Sequence, residues 1–263
     1  MKTVTGFRQK KSEGGRISLI TCYDYWSARI ISQTPVDAVL VGDSLSMVMH
    51  GFASTVHATT DMMAYHVAAV ARGLTDVLLI ADLPFLAHRK GLRYLMESVD
   101  RLMKAGAHAV KIEGGEEVLP QVRHIVQSGV PVMGHLGLTP QSVNLLGGNK
   151  LQGTTPPAAQ KIMKDARLLQ DAGVFGLVLE MVPADLARQI TQSVSMPVIG
   201  IGAGPHTDGQ VLVLQDMLGL NPDFSPRFLR RYLNGFELLK NAITQFDADV
   251  KSGNFPSDKE SYT

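Results

Sequence analysis

The sequence predicts a (β/α)8 TIM barrel in a single domain over residues 1–263, and three observations carry that expectation. Eight short, β-branched-rich apolar runs alternate with helical patterns. Several of these runs show little polar alternation, as strands buried on both faces do. The count of eight, with ionisable residues spread over many run ends, favours a closed barrel over the open doubly wound sheet that alternation alone also fits.

The expected strands lie at 17–23, 38–42, 77–81, 109–112, 131–134, 176–179, 197–201 and 211–214. Helical patterns fall at 60–73, 92–106, 116–129, 157–173 and 183–194. Gly73, Gly106, Gly129 and Gly173 each stand where a helix stops and the chain turns towards the next strand. Over 225–250, Phe228, Tyr232, Phe236, Leu239, Ile243, Phe246 and Val250 recur near a 3.6-residue period. That segment reads as one or two C-terminal amphipathic helices that close the domain or pack on a neighbour, and 252–263 reads as a loop-like tail. No internal repeat or low-complexity tract is present.

Composition excludes several classes of function. With 25 basic and 24 acidic residues the net charge is +1, so there is no electrostatic case for nucleic acid or an anionic membrane. The single cysteine, Cys22, rules out an intrachain disulfide framework and argues against metal-thiolate clusters. Charged residues make up 19% and apolar residues 45%, which implies much interior, subunit interfaces included. The first eleven residues lack the apolar core of a signal peptide, and no run approaches the ~20 apolar residues of a bilayer span. The expected address is the cytoplasm.

What stands at the C-terminal end of each run carries the chemistry. Asp43 and Ser44 follow Val39-Leu40-Val41-Gly42, Asp82 follows Leu78-Leu79-Ile80-Ala81, His135 follows Val132-Met133-Gly134, and Glu180 follows Leu177-Val178-Leu179. Lys111 and Glu113 punctuate the fourth run two residues apart, so they share one face of the strand. A single aspartate in such a position is ordinary helix-capping or turn chemistry, and a Lys–Glu pair is an ordinary salt bridge. Five strand ends bearing ionisable groups at one rim are read jointly as an active site.

Asp43, Asp82 and Glu113 suit a hard cation such as Mg²⁺, whereas dispersed histidines without a His-Glu-x-x-His pattern disfavour zinc. Such an ion would acidify the α-proton of a 2-oxo acid, with Glu180 as base. Lys111 would hold the substrate carboxylate or, less consistently with nearby metal carboxylates, form a Schiff base. For His135, hydrogen bonding or packing and proton transfer both stand open. The other histidines read as loop or surface residues, and Met47, Met49, Met62, Met63, Met96 and Met103 as core filler. Gly200, Gly202 and Gly204 are spaced unlike a dinucleotide fingerprint and fit either an anion loop or tight packing.

Several strings in order extend this reading: Val41-Gly42-Asp43-Ser44-Leu45, Ala81-Asp82-Leu83-Pro84-Phe85, Val110-Lys111-Ile112-Glu113-Gly114-Gly115, Gly134-His135-Leu136-Gly137-Leu138-Thr139-Pro140-Gln141-Ser142, Leu179-Glu180 and Pro197 to Gly204. Over residues 3–255 the chain resembles the ketopantoate hydroxymethyltransferase family. The resemblance implies a (β/α)8 barrel transferring a hydroxymethyl unit from 5,10-methylenetetrahydrofolate to 3-methyl-2-oxobutanoate, giving 2-dehydropantoate on the route to pantothenate and coenzyme A. It implies Mg²⁺ on Asp43, Asp82 and Glu113, substrate contacts from Asp43, Ser44, Asp82 and Lys111, and Glu180 as proton acceptor. His135 matches a histidine lining the family's pocket. It also implies a large homo-oligomer, a homodecamer. The chain departs from the family pattern at Ser46, where glycine is usual, and at His57-Ala58-Thr59, where the family has Pro-Val-Thr; both lie in the loop beyond the second strand. A class II aldolase acting on another 2-oxo acid and a non-catalytic metabolite-binding barrel are the competing readings.

Overall fold

Apolar runs too short for helices become the staves of a closed cylinder in the computed structural model, which describes residues 3–262. The strands are β1 Ile17–Thr21, β2 Ala38–Val41, β3 Leu78–Asp82, β4 Ala109–Glu113, β5 Val132–Gly137, β6 Gly176–Glu180, β7 Val198–Ile201 and β8 Gly209–Leu212. Each pairs in parallel with the next, and β8 closes on β1 from Ile17↔Gly209 to Ile20↔Leu212. Helix α1 Val4–Ser12 precedes the barrel, and α2 Tyr25–Ile31 links β1 to β2. After β2 come α3 Leu45–Val48 and α4 Thr60–Gly73, after β3 α5 Leu92–Lys104, and after β4 α6 Leu119–Gln127. After β5 come α7 Val143–Leu146 and α8 Pro156–Asp171, and after β6 α9 Ala184–Ser193. Among the described residues no helix separates β7 from β8.

Parallel pairing between consecutive strands requires a long crossover, and the helices supply it while covering the outer strand face. Both faces of the strands are consequently dry. Leu78, Ile80, Ala109, Met133, Val178, Ile199 and Val211 belong to the interior cluster, while Leu79, Ala81, Val110, Val132 and Leu177 are buried on the alternate face. Helix α1 contributes Phe7 to this interior, edge-on to Phe175 with ring centroids 6.0 Å apart.

The boundaries differ from the sequence reading where ladder partners, not hydropathy, decide them. The fifth run extends to Gly137 because Gly137 still pairs with Glu180. The eighth strand lies two residues earlier than expected, since Val213 has left the ladder and Leu214 opens α10 Leu214–Met217. The helix expected from residue 225 begins only at Gly235, as α11 Gly235–Ser252. Ahead of it, Arg231 Nη2 donates to the carbonyls of Asn221, Pro222 and Phe224, so that stretch is a braced loop. In the tail, Phe255 meets Phe246 of α11 edge-on at 5.6 Å, and Asp258–Glu260 forms a 3-10 turn under a Ser257–Glu260 capping box. Met1, Lys2 and Thr263, part of the terminal readings, lie outside the described residues.

The chain divides into two compact units, Met1–Leu212 and Val213–Thr263. In the second, α11 leaves Phe236, Leu239, Ile243, Phe246 and Val250 exposed along one line. No helix among the described residues is long and apolar enough to cross a membrane.

Asp216 on α10 is buried, and burial pushes its carboxyl up to about 6, with Arg231 opposing weakly. An acid whose folded-state pKa is raised holds its proton more tightly when folded, so stability falls as pH climbs from the unfolded value towards 6. Asp216→Asn is therefore expected to raise the midpoint of thermal unfolding at pH 7.5 and to leave it unchanged near pH 4. Calorimetry at the two pH values checks this, and an equal effect at both would contradict it.

Candidate active site

The two-residue period that buries Leu78 and Ile80 inside the barrel carries Asp82 to the same face, and likewise Ala109 carries Lys111 and Glu113, Met133 carries His135, and Val178 carries Glu180. Register then sets Asp82 opposite Lys111 and Glu113 opposite His135. Asp43 and Ser44 lie just past the end of β2, where the backbone N–H of Asp43 donates to Asp82 Oδ2 at 3.1 Å. All seven residues singled out from the sequence thus stand at the C-terminal mouth of the cylinder. Neither aspartate serves as a helix cap: Asp43 Oδ2 accepts from Gln141 Nε2, and Asp82 faces Lys111.

Lys111 is the hub. Its Nζ lies 2.9 Å from Asp82 Oδ1, 4.0 Å from Glu113 Oε1 and 3.1 Å from His135 Nδ1. Burial opposes its charge, but Asp82, Glu113 and Asp43 outweigh burial and hold its pKa above the ordinary lysine value. His135 Nδ1 lies 3.2 Å from Glu113 Oε1 and its Nε2 lies 3.3 Å from Glu180 Oε2. Against burial and Lys111, those two carboxylates push His135 up to about 9. Burial works against Glu113 ionising, yet His135 and Lys111 bring it below the usual glutamate value. Asp43 is raised well above the carboxylate range by burial and then by the charges of Asp82 and Glu113. Asp82 is raised by burial despite Lys111. Glu180 is the most open of the paired acids, its side chain 18% exposed against 4% for Asp82 and 5% for Glu113.

Several partners lie beyond what the sequence reading named. Gln141, in a 3-10 turn at Pro140–Ser142, donates its side-chain amide to Asp43 Oδ2 at 2.8 Å and to the Leu83 carbonyl at 2.9 Å, and its backbone N–H to Glu113 Oε2 at 3.1 Å. It reaches them because Gly137, at φ +92°, ends β5 where a Cβ would lie 2.1 Å from the Glu180 carbonyl oxygen. Tyr23, fully buried after β1, shares a 2.8 Å hydrogen bond with Ser44 Oγ, and burial pushes its phenol above the ordinary value. Behind it, His66 Nδ1 lies 2.5 Å from the Tyr23 carbonyl and His66 Nε2 lies 2.9 Å from His50 Nε2, so the exposed His50 in its turn and the half-buried His66 on α4 are paired. His57 stacks on Phe52. The family departure at Ser46 is buried, with its hydroxyl placed to donate to the carbonyls of Asp43 at 2.9 Å and Ser54 at 3.0 Å, which ties the loop beyond β2 to the site.

Other readings change with packing. Met47 and Met49 are exposed rather than core, because α3 is a single turn at the rim; Met63 is fully buried. Gly204, at φ +77°, packs where a Cβ would meet Ala184 Cβ at 2.4 Å, so close approach of α9 accounts for that glycine.

Among the described residues no three His, Cys, Asp or Glu side chains stand together as a ready ligand set for one metal ion. The donor chemistry nonetheless fits a hard divalent cation, since Mg²⁺ uses one or two protein carboxylates and completes its shell with water and substrate. Asp43 and Asp82 adjoin, and buried Asp82 Oδ1 has an ion-pair contact to Lys111 but no aligned hydrogen bond. Four acids share one mouth with Lys111 and His135, and burial first, then the charges of Asp82 and Glu113, leaves Asp43 raised. Both Glu113 oxygens are already engaged, by His135 and by the Gln141 N–H.

A closed parallel barrel with buried acids, a lysine and a histidine converging at the carboxyl ends of its strands is the architecture of a barrel enzyme equipped for acid–base chemistry. Residues 1–258 match the ketopantoate hydroxymethyltransferase family. The chain is 56% identical over 263 residues to the 3-methyl-2-oxobutanoate hydroxymethyltransferase of Bdellovibrio bacteriovorus, covering 100% of both chains. It is 54% identical over 251 residues to that of Coxiella burnetii, covering 95% of this chain and 94% of the relative. In fold it is similar to a putative phosphonomutase of Burkholderia cenocepacia, at a TM-score of 0.65 and 17% identity over 84% of this chain and 98% of the other. The chain belongs to the ketopantoate hydroxymethyltransferase family, and it is an enzyme of the transferase class.

Removing Lys111 leaves Asp82 and Glu113 buried without their neutralising partner. Lys111→Met is expected to lower the unfolding free energy by about 3–5 kcal/mol at pH 7 without added divalent ion, measured by urea denaturation. A loss under about 1 kcal/mol, the scale of an exposed pair, would show that Lys111 is not the neutralising hub.

Proposed function

We propose that this enzyme transfers a hydroxymethyl unit from 5,10-methylenetetrahydrofolate to 3-methyl-2-oxobutanoate in a Mg²⁺-dependent reaction, giving 2-dehydropantoate for pantothenate and coenzyme A synthesis. The observation that carries this reading is the convergence of Asp43, Asp82, Lys111, Glu113, His135 and Glu180 at one barrel mouth, in a chain 48–56% identical to relatives named for that activity. Asp43 and Asp82 would hold the ion, with Glu113 supporting them through its charge. When bound, Mg²⁺ supplies Lewis acidity at the 2-oxo group, which makes the proton on C3 easier to remove.

The chain's own residues account for the remaining steps. Lys111 remains an ammonium because three carboxylates hold its pKa up. It therefore pairs with the substrate carboxylate rather than offering the neutral amine that a Schiff base needs. Ser44, its hydroxyl oriented by Tyr23, donates to the same end of the substrate. Glu180, the most open of the paired acids, accepts the C3 proton, and His135, with its Nε2 3.3 Å away, holds that side chain in place. The resulting carbon nucleophile forms a C–C bond to the one-carbon unit; both C–N bonds that tie that carbon to N5 and N10 of the folate break, water supplies the hydroxyl, and the C3 proton and the water's second proton end on the two folate nitrogens. The proposal extends to a cytoplasmic homodecamer, which the low charged fraction and the exposed apolar line of α11 support.

Purified protein given 3-methyl-2-oxobutanoate, 5,10-methylenetetrahydrofolate and Mg²⁺ is expected to form 2-dehydropantoate and to stop on addition of chelator. Folded, metal-loaded protein that makes no product would reject the reading. Glu180→Gln should lower kcat by about 10²–10⁴-fold with folding preserved, and a loss below about tenfold would remove Glu180 from the role of base. Asp82→Asn should raise the Mg²⁺ concentration for half-maximal rate, whereas an unaltered Mg²⁺ dependence would contradict its place on the ion.

A further inference from the structure

Gln141 is a buried neutral residue from the loop beyond β5 that bonds to acids carried by two other parts of the barrel. Its amide nitrogen donates to Asp43 Oδ2 and to the Leu83 carbonyl, and its backbone N–H donates to Glu113 Oε2. The Leu83 carbonyl can only accept, so the amide has one workable orientation; turned over, its oxygen would face that oxygen. Among the described residues this is the one side-chain hydrogen bond on the Asp43 carboxylate. The Leu83 bond anchors the same amide to the chain immediately after Asp82. One side chain thus references Asp43 to the end of β3, while its own backbone references Glu113. The bond to Asp43, at 2.8 Å, is short, the kind that sets a rotamer in a buried site.

We propose that Gln141 is the positioning residue for the cation-binding acids, holding Asp43 in register with Asp82 and Glu113 so that the loop after β5 sets the affinity of the ion. This rests on the metal reading above. Asp43 stands past its strand end, where the ladder does not orient it, whereas Asp82 and Glu113 are fixed by β3 and β4. Gln141 therefore supplies from outside the strand what register supplies for the other two. Truncating the amide frees the Asp43 carboxylate to rotate, and the ion then bears the cost of ordering it.

The test is Mn²⁺ binding to substrate-free protein, followed by calorimetry and by loss of the free-ion paramagnetic signal, for the parent, Gln141→Met and Gln141→Asn. The asparagine variant keeps a buried amide but is one methylene too short to span both acceptors, and it serves if the methionine variant does not fold. Either folded variant is expected to bind Mn²⁺ about 10–100-fold more weakly than the parent. The Mg²⁺ concentration for half-maximal rate should rise in parallel. A lower unfolding midpoint with parental Mn²⁺ affinity would make Gln141 a loop anchor only and overturn the proposal. A parent protein that itself binds no Mn²⁺ would overturn the metal reading and this inference together, which separates the two failures.

Discussion

Asp43, Asp82 and Glu113 are held out of water beside one another, and the mouth of the barrel is organised around the cost of doing so. Like charges in a desolvated site raise each other's proton affinity unless cations or donors intervene. Lys111 intervenes from the strand that carries Glu113, His135 from the next strand, and Gln141 from the loop beyond it. These responses divide the acids into unlike states: Glu113 is brought below its ordinary value, whereas Asp43 is left well above. The acid left least compensated stands next to the buried oxygen that lacks an aligned donor, and this is where added positive charge has most effect.

The scaffold tolerates this because stability and chemistry occupy different levels of the same strands. One level of the interior is dry, built from Leu78, Ile80, Ala109, Met133 and Val178 with Phe7 of α1 packed among them. Further along the same inward face, apolar side chains give way to Asp82, Lys111, Glu113, His135 and Glu180. A one-residue slip in any stave would move its ionisable residue to the outer face, beneath a helix, so register is enforced by both the apolar and the charged parts of the face.

Much of this was legible in the chain. Period-two spacing put Lys111 and Glu113 on one face, and the runs ending in Asp43, Asp82, His135 and Glu180 pointed to one rim. The residues missed share a reason. Gln141 and Tyr23 carry no charge at neutral pH and follow strands in loops, so nothing in periodicity separates them from ordinary loop residues. The 2.9 Å contact between the rings of His50 and His66 joins residues sixteen positions apart, which periodicity does not register. Met47 and Met49 were read as core because apolar character near a strand end does not say whether a one-turn helix faces inward. The start of α11 was misplaced because the apolar period runs on into a loop that Arg231 braces.

By itself the sequence determined the alternation of strand and helix, the inward face of each stave and the chemical types assembled at the rim. Those follow from local periodicity and from the rule that parallel strands need crossovers. Tertiary structure alone decided which oxygen meets which nitrogen: the Lys111–Asp82 pair, His135 between two glutamates, and the Gln141 amide on Asp43. Such contacts join residues as many as 98 positions apart, and their charge states depend on burial that exists only once the cylinder has closed.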